Sequence, residues 1–229
     1  MPVGPGVTTA HRSAVGMVYP YYSRLPSRQQ AIYRASDRVA EIKLPHPAAL
    51  RPAVEALREA LAADDRRTVA SSAATLSQAL LAQLGAPPVA LKVLAVRPSR
   101  NWGELHGLYT ADEKKPAEIR LWMRTVHHKR VVAFRTFLRT LLHELCHHLD
   151  YHALKLADSL HTEGFFRRES DLFRQLVPST PRVAPAPQLA AVPARTRRTG
   201  RPGPAKPREE TRIADNPQGQ LSFDSVVKR

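Results

Sequence analysis

The segment TLLHELCHHLDYH, Thr140 to His152, constrains this chain more than any other. It sets four histidines, a glutamate and the single cysteine among leucines that recur at helical spacing. Taking His143 as origin on a helix that advances about 100° per residue, His147 falls at about 40° and Glu144 at about 100°, while Leu138, Leu141, Leu142, Leu145 and Leu149 span roughly 160° to 260°. One arc is made for a core; the other presents two imidazoles and a carboxylate to a common point. This is the H-E-x-x-H geometry, in which histidines at i and i+4 bind one Zn2+ and the glutamate between them serves as general base toward a water. Neutral imidazole suits a borderline-soft ion near neutral pH. The competing reading is a histidine-rich surface cluster. His148 and His152 repeat the spacing without a glutamate between them, lie at the margin of the apolar arc and read as structural. Cys146 reads as a small packed hydrophobe rather than a ligand or nucleophile.

A catalytic zinc needs a third protein ligand and an open position. The segment DSLHTEGFFRRESDLF offers His161, with Glu163 and Glu169 as rivals. His161 is favoured because it stands just ahead of an expected helix, Glu163 to Val177, capped by Thr162, where a turn brings a neutral imidazole back with the least rearrangement. Asp150 is either an acceptor for a ring N–H or a plain surface aspartate. Tyr109, His106 and Arg167 are polar candidates for stabilising an oxyanion.

The rest of the chain divides by composition. Residues 1–27 form an irregular arm with Tyr19, Tyr21 and Tyr22, some of whose rings are expected to pack on the body. Residues 28–86 form a helical N-terminal region: a short helix stopped by Pro45 and Pro47, then two helices joined by a tight turn at Asp64 and Asp65, with Val69, Ala73, Leu76, Leu80 and Leu84 facing the core. Residues 87–178 carry the strand-like segments PVALKVLAV, ELHGLYT and EIRLWMRT, expected to be antiparallel, followed by the histidine helix and the C-terminal helix. The last segment shows Glu118, Arg120, Trp122 and Arg124 on one face. That suits an exposed sheet edge able to pair with an extended peptide, and equally a half-buried strand with a solvated face. Residues 179–229 are rich in proline and arginine and read as a disordered basic tail.

With 229 residues, 43% of them hydrophobic, the chain can bury a sizeable core. One cysteine excludes an internal disulfide, and no long apolar run or leader is evident, so a soluble protein of a reducing compartment, cytoplasmic and without a membrane partner, is expected. Thirty-five Lys and Arg against twenty Asp and Glu give a net charge of +15, which favours polyanionic partners such as DNA.

LLHELCHHLDY followed by HTEGFFRR, after helices and a three-stranded sheet, resembles the SprT-like (Spartan-like) zinc metallopeptidases. His143, Glu144, His147, His161 and Phe165 match their pattern in order, over about Val89 to Val177. Thr162 follows the third histidine, where family members often carry glycine. The resemblance implies an α+β fold of minimal zincin-like type, with N-terminal helices, a three-stranded antiparallel sheet, an active-site helix and a C-terminal helix. It implies Zn2+ held by His143, His147 and His161, and Glu144 activating water for hydrolysis of a protein or peptide substrate. It also implies work on proteins associated with DNA. In the tail, RTGRPGPAKPR resembles a minor-groove AT-hook with Thr199 in place of an arginine, and QGQLSF, Gln218 to Phe223, resembles peptides that dock on sliding clamps through Gln220–Phe223 but lacks one apolar residue of their usual set; the favoured reading of both is an ordinary disordered basic or amphipathic stretch. The alternatives to an endopeptidase are a basic DNA-binding or scaffold protein with a structural or vestigial zinc site, and a regulatory metallopeptidase that cuts a repressor. Peptide deformylase is disfavoured, because its cysteine ligand lies outside the histidine helix and Cys146 lies within it.

Overall fold

The sheet departs from the expected arrangement, and the departure decides which strand borders the histidines. A computed structural model describes residues 19–178 apart from 97–98, 101–102, 105, 113–114 and 127. The first part of the arm, and the tail with its hook-like and clamp-like segments, lie outside the described residues. The strands are β1 (Ala90–Val96), β2 (Ser99–Arg100), β3 (Gly103–Glu104), β4 (Gly107–Asp112) and β5 (Lys115–Arg124). The main sheet has the order β1-β5-β4, and β2 pairs with β3 in a separate ladder.

The main sheet is mixed, not antiparallel. β1 runs parallel to β5, with Ala90 opposite Glu118 and Val93 opposite Leu121, while β4 is antiparallel to β5, with Gly107 opposite Leu121 and Tyr109 opposite Ile119. A parallel pair needs a crossover of about a dozen residues or more. The stretch 97–114 supplies it, carrying the β2–β3 ladder and β4 before the chain re-enters the sheet between its neighbours. β5 is therefore the central strand and cannot be the peptide-pairing edge that its charges suggested. Ile119, Leu121 and Met123 are fully buried, and Trp122 is covered on the opposite face. Glu118 is paired with Lys92 of β1 and with Arg120 on its own strand. Among the described residues the edges of this sheet are β1 and β4.

Among the described residues, five α-helices complete an α+β architecture: α1 (Ser27–Asp37), α2 (Arg51–Ala62), α3 (Arg66–Gln83), α4 (Phe134–His152) and α5 (Glu163–Leu176). Asp64 adopts a left-handed φ of 55° at the α2–α3 turn, and the Asp65 carboxylate then caps α3 by accepting the amides of Arg67 at 3.0 Å and Thr68 at 3.3 Å. Val69, Ala73, Leu76 and Leu80 are fully buried, with Leu84 partly so. Thr162 caps α5 by accepting the Phe165 amide at 3.1 Å. Leucines of α2 and α3, Val93, Ile119 and Leu121 of the sheet, and the apolar faces of α4 and α5 belong to one hydrophobic core. The N-terminal helices thus share their core with the segment that bears the histidines. No helix among the described residues is long and apolar enough to cross a membrane.

α1 meets the start of α5 at van der Waals distance. A Cβ placed on Gly164 would lie 2.5 Å from the Ser36 carbonyl oxygen and 2.7 Å from the Asp37 Cα, both backbone atoms that cannot swing away. We expect Gly164→Ala to lower stability by about 1–3 kcal/mol, the usual cost of overpacking. Urea unfolding measures this, and an unchanged midpoint would contradict the packing described.

Candidate metal centre

From Thr140 to Asp150, α4 is buried on every side. Leu138, Leu141, Leu142, Leu145 and Leu149 are fully covered, and so are the polar residues of this stretch: His143, Glu144, His147, His148 and Asp150 are each at most 1% exposed. The surface-cluster reading fails on this observation. Covering the polar arc are β4, α5 and the loop between α4 and α5. Buried polar groups must be partnered or carry a cost of kcal/mol order, so each imidazole can be asked where its two nitrogens point.

His161 Nε2 lies 3.1 Å from His143 Nε2 and 3.2 Å from His147 Nε2. Three ring nitrogens from two separate segments converge, and these three residues form a cluster able to hold a metal ion. For Zn–N bonds of about 2.0–2.1 Å, the edge of a tetrahedron is roughly 3.3 Å, close to the spacings found. Phe165 lies against all three rings, with centroid separations of 4.9 Å to His143, 4.8 Å to His147 and 5.1 Å to His161. Burial, followed by the neighbouring imidazoles, holds His147 well below the ordinary histidine value, and burial with His143 brings His161 down to about 3. Both rings are thus neutral donors at any physiological pH.

The far side of each α4 imidazole is engaged. His143 Nδ1 lies 3.2 Å from Glu169 Oε2, and that carboxylate also takes Arg139 Nη1 at 3.5 Å. A carboxylate there accepts the Nδ1 proton and leaves Nε2 as the lone pair facing the cluster. Glu169, a rival for the third ligand, orients a ligand instead. Glu163, the other rival, sits in the first turn of α5 in an ion pair with Arg167. His147 Nδ1 lies 2.8 Å from Ser159 Oγ, which in turn donates to Asp150 Oδ2 at 2.7 Å. Asp150 is fully buried, so it is no surface aspartate, and it reaches the ring through the serine. Its carboxyl is raised to about 6, chiefly by burial, with Arg168 and Ser159 opposing the rise.

His148 and His152 stand apart from the cluster, as their helical positions indicated. The Pro87 carbonyl lies 2.9 Å from His148 Nε2 and so takes its proton, leaving Nδ1 to accept from the Tyr109 hydroxyl at 3.2 Å. That hydroxyl, a candidate oxyanion donor, is committed to His148, while the Tyr109 ring stacks on His147 at 6.3 Å. Arg167 is tied to Glu163, and His106 is half-buried immediately before β4. The Cys146 thiol is fully buried and pushed upward by that burial, in keeping with a packing role.

Glu144 faces β4. A Cβ on Gly107 would lie 2.8 Å from its Cγ and 2.9 Å from its Cδ, so only glycine lets the strand pass this carboxylate. A glycine inside a strand is a sign of such close approach, and this was the signal available for Gly107. Nothing in the sequence marked Ser159. Neither Glu144 oxygen makes a well-formed hydrogen bond. Burial raises the carboxyl to about 8; the Tyr109 amide opposes this and the Glu169 charge adds to it. Three imidazole nitrogens, with His161 Nε2 at 3.1 and 3.2 Å from the other two, beside the buried Glu144 carboxyl form a donor set that fits a small divalent cation of borderline softness. In comparisons with family models, curated proteins and solved structures, the chain finds no significant match.

A carboxyl raised from 4.5 to about 8 favours folding while it is protonated. That contribution is complete below pH 4.5 and is lost as pH rises through 8. In metal-free protein, Glu144→Gln should therefore gain stability over wild type as pH rises from 4.5 to 8. Urea unfolding across this range measures the difference, and a flat difference would contradict the burial of this acid.

Proposed function

We propose that the chain is a zinc-dependent endopeptidase of SprT-like type, with a minimal zincin-like catalytic unit, that acts on protein or peptide substrates. The observation that carries this reading is the approach of His161 Nε2 to the Nε2 atoms of His143 and His147, at 3.1 and 3.2 Å, beside a buried glutamate with no well-formed hydrogen bond. His143, His147 and His161 would hold the ion. Zinc bound there supplies Lewis-acid polarisation of a peptide carbonyl and a water of lowered pKa.

The chain's own residues do the rest. Glu144 takes the proton from the attacking water and returns it to the leaving amine, the two roles of one general base and acid. Gly107 leaves the space that this carboxylate fills. β4 lies beside the histidine helix, and its outer edge is unpaired among the described residues, which supports an extended peptide lying along it as an added strand. The net charge of +15 supports substrates held near DNA, with the tail as a further contact to DNA or, through Gln220–Phe223, to a sliding clamp.

Glu144→Gln should lower cleavage of a basic protein by about 10²–10⁴-fold while zinc stays bound, and His161→Ala should lose the zinc. Metal analysis beside a cleavage assay, run with and without duplex DNA, checks both. Full turnover by Glu144→Gln overturns the mechanism. DNA binding without any metal-dependent cleavage would identify a scaffold instead.

A further inference from the structure

Arg168 of α5 is fully buried, as is its partner Asp150, and the reaction proposed above uses neither. Burying such a pair costs several kcal/mol of desolvation per ion and is a weak source of stability compared with apolar packing. What the pair does achieve here is direction. Arg168 can only donate. Its Nη1 donates to the carbonyls of Ser36 at 2.8 Å and Val39 at 2.6 Å, and its Nη2 donates to Ser36 Oγ at 3.0 Å and Asp150 Oδ1 at 2.8 Å. Asp150, paired with the guanidinium, can only accept. Its second oxygen takes the Ser159 hydroxyl proton at 2.7 Å, so Ser159 Oγ has only lone pairs to offer His147 Nδ1 at 2.8 Å. The ring must then carry its proton on Nδ1 and present a bare Nε2 to the other two histidines.

We propose that Arg168, Asp150 and Ser159 form a directional relay that fixes the metal-binding tautomer of His147, and that the C-terminal end of α1 anchors this relay, making the N-terminal helical region part of the metal centre. The same end of α1 also holds the third histidine. Ser36 Oγ lies 3.0 Å from Thr162 Oγ1, the Asp37 carboxylate accepts the Gly164 amide at 2.8 Å, and the Tyr21 hydroxyl, ahead of α1, donates to the His161 carbonyl at 2.6 Å. Two ligands on opposite sides of the α4–α5 loop are thus tied to one short stretch of chain that contributes no ligand itself. Arg168, Asp150, Ser159 and Ser36 are positioning residues in this scheme.

The inference rests on the metal reading, and its test separates the two. Asp150→Asn keeps shape but reverses the relay. Its amide oxygen must face Arg168, its NH2 then donates to Ser159 Oγ, and the serine proton turns to His147 Nδ1, leaving the ring proton on Nε2. In metal-free protein with 15N-labelled histidine, long-range 15N–1H correlations should show His147 as the Nδ1–H tautomer in wild type and Nε2–H in Asp150→Asn. Zinc affinity, read by chelator competition, should fall about 10–100-fold in Asp150→Asn and in Ser159→Ala. Ser159→Thr, which restores the hydroxyl, should recover it, and Ser36→Ala should weaken zinc in the same direction by a smaller factor. An Nδ1–H tautomer with wild-type zinc affinity in Asp150→Asn overturns the relay. Should that variant not fold, equal affinities for Ser159→Ala and Ser159→Thr overturn it. Unchanged affinity in Ser36→Ala overturns the anchoring by α1. A wild-type chain that binds no zinc sinks the metal reading, whereas the tautomer spectra, recorded without metal, still decide the relay.

Discussion

The structure depends on one constraint: α4 is buried on all sides from Thr140 to Asp150 although one arc of that stretch is polar. A helix with an apolar arc can rest on a core and leave its other face to water. Here β4, α5 and the connecting loop close over that face, so every imidazole and carboxylate on it has to be matched inside the protein. The matching follows from elementary donor and acceptor rules. Glu169 and Ser159 take the Nδ1 protons of His143 and His147, and the Pro87 carbonyl and Tyr109 hydroxyl fix His148. Glu144 remains as the polar group without such a match, and it adjoins the three converging Nε2 atoms on the same helix.

Much of this was legible in the sequence because it depended on local periodicity. The 3.6-residue repeat separated His143, Glu144 and His147 from His148 and His152, and the structure keeps that separation. Asp65 and Thr162 marked helix starts through side chains that accept nearby amides. The favoured place of His161 followed from its position one residue ahead of a cap. What the sequence could not convey was pairing between distant segments. The alternation in β5 is the same whether its flanks are solvent or other strands. The charges that suggested an exposed edge are accommodated instead by cross-strand pairing, as in Lys92 with Glu118. Ser159 and Arg168 were silent for the same reason, since their meaning lies in partners set by the tertiary fold.

Gly107 illustrates a middle case. Its position within a strand hinted at close approach, but the identity of the approaching group became visible only once β4 was placed at the sheet edge against α4. The edge position and the missing side chain then explain each other: the strand lies near enough to the glutamate to border the site because it carries nothing at that point. Tyr109, two residues on, returns to the same side of the strand and packs its ring on His147.

The span of the buried arginine's contacts has a bearing on how the protein comes into being. The three histidines fall within a short stretch of chain, so a partly folded polypeptide brings them near one another early. Arg168, however, closes on Ser36 across 132 residues, and such long-range closure comes at a loop-entropy cost that local contacts do not carry. Histidines that are merely near one another are therefore not yet aimed. Accurate aiming of the three rings therefore depends on the docking of α1, a contact distant in sequence, and not on the closeness of the histidines along the chain.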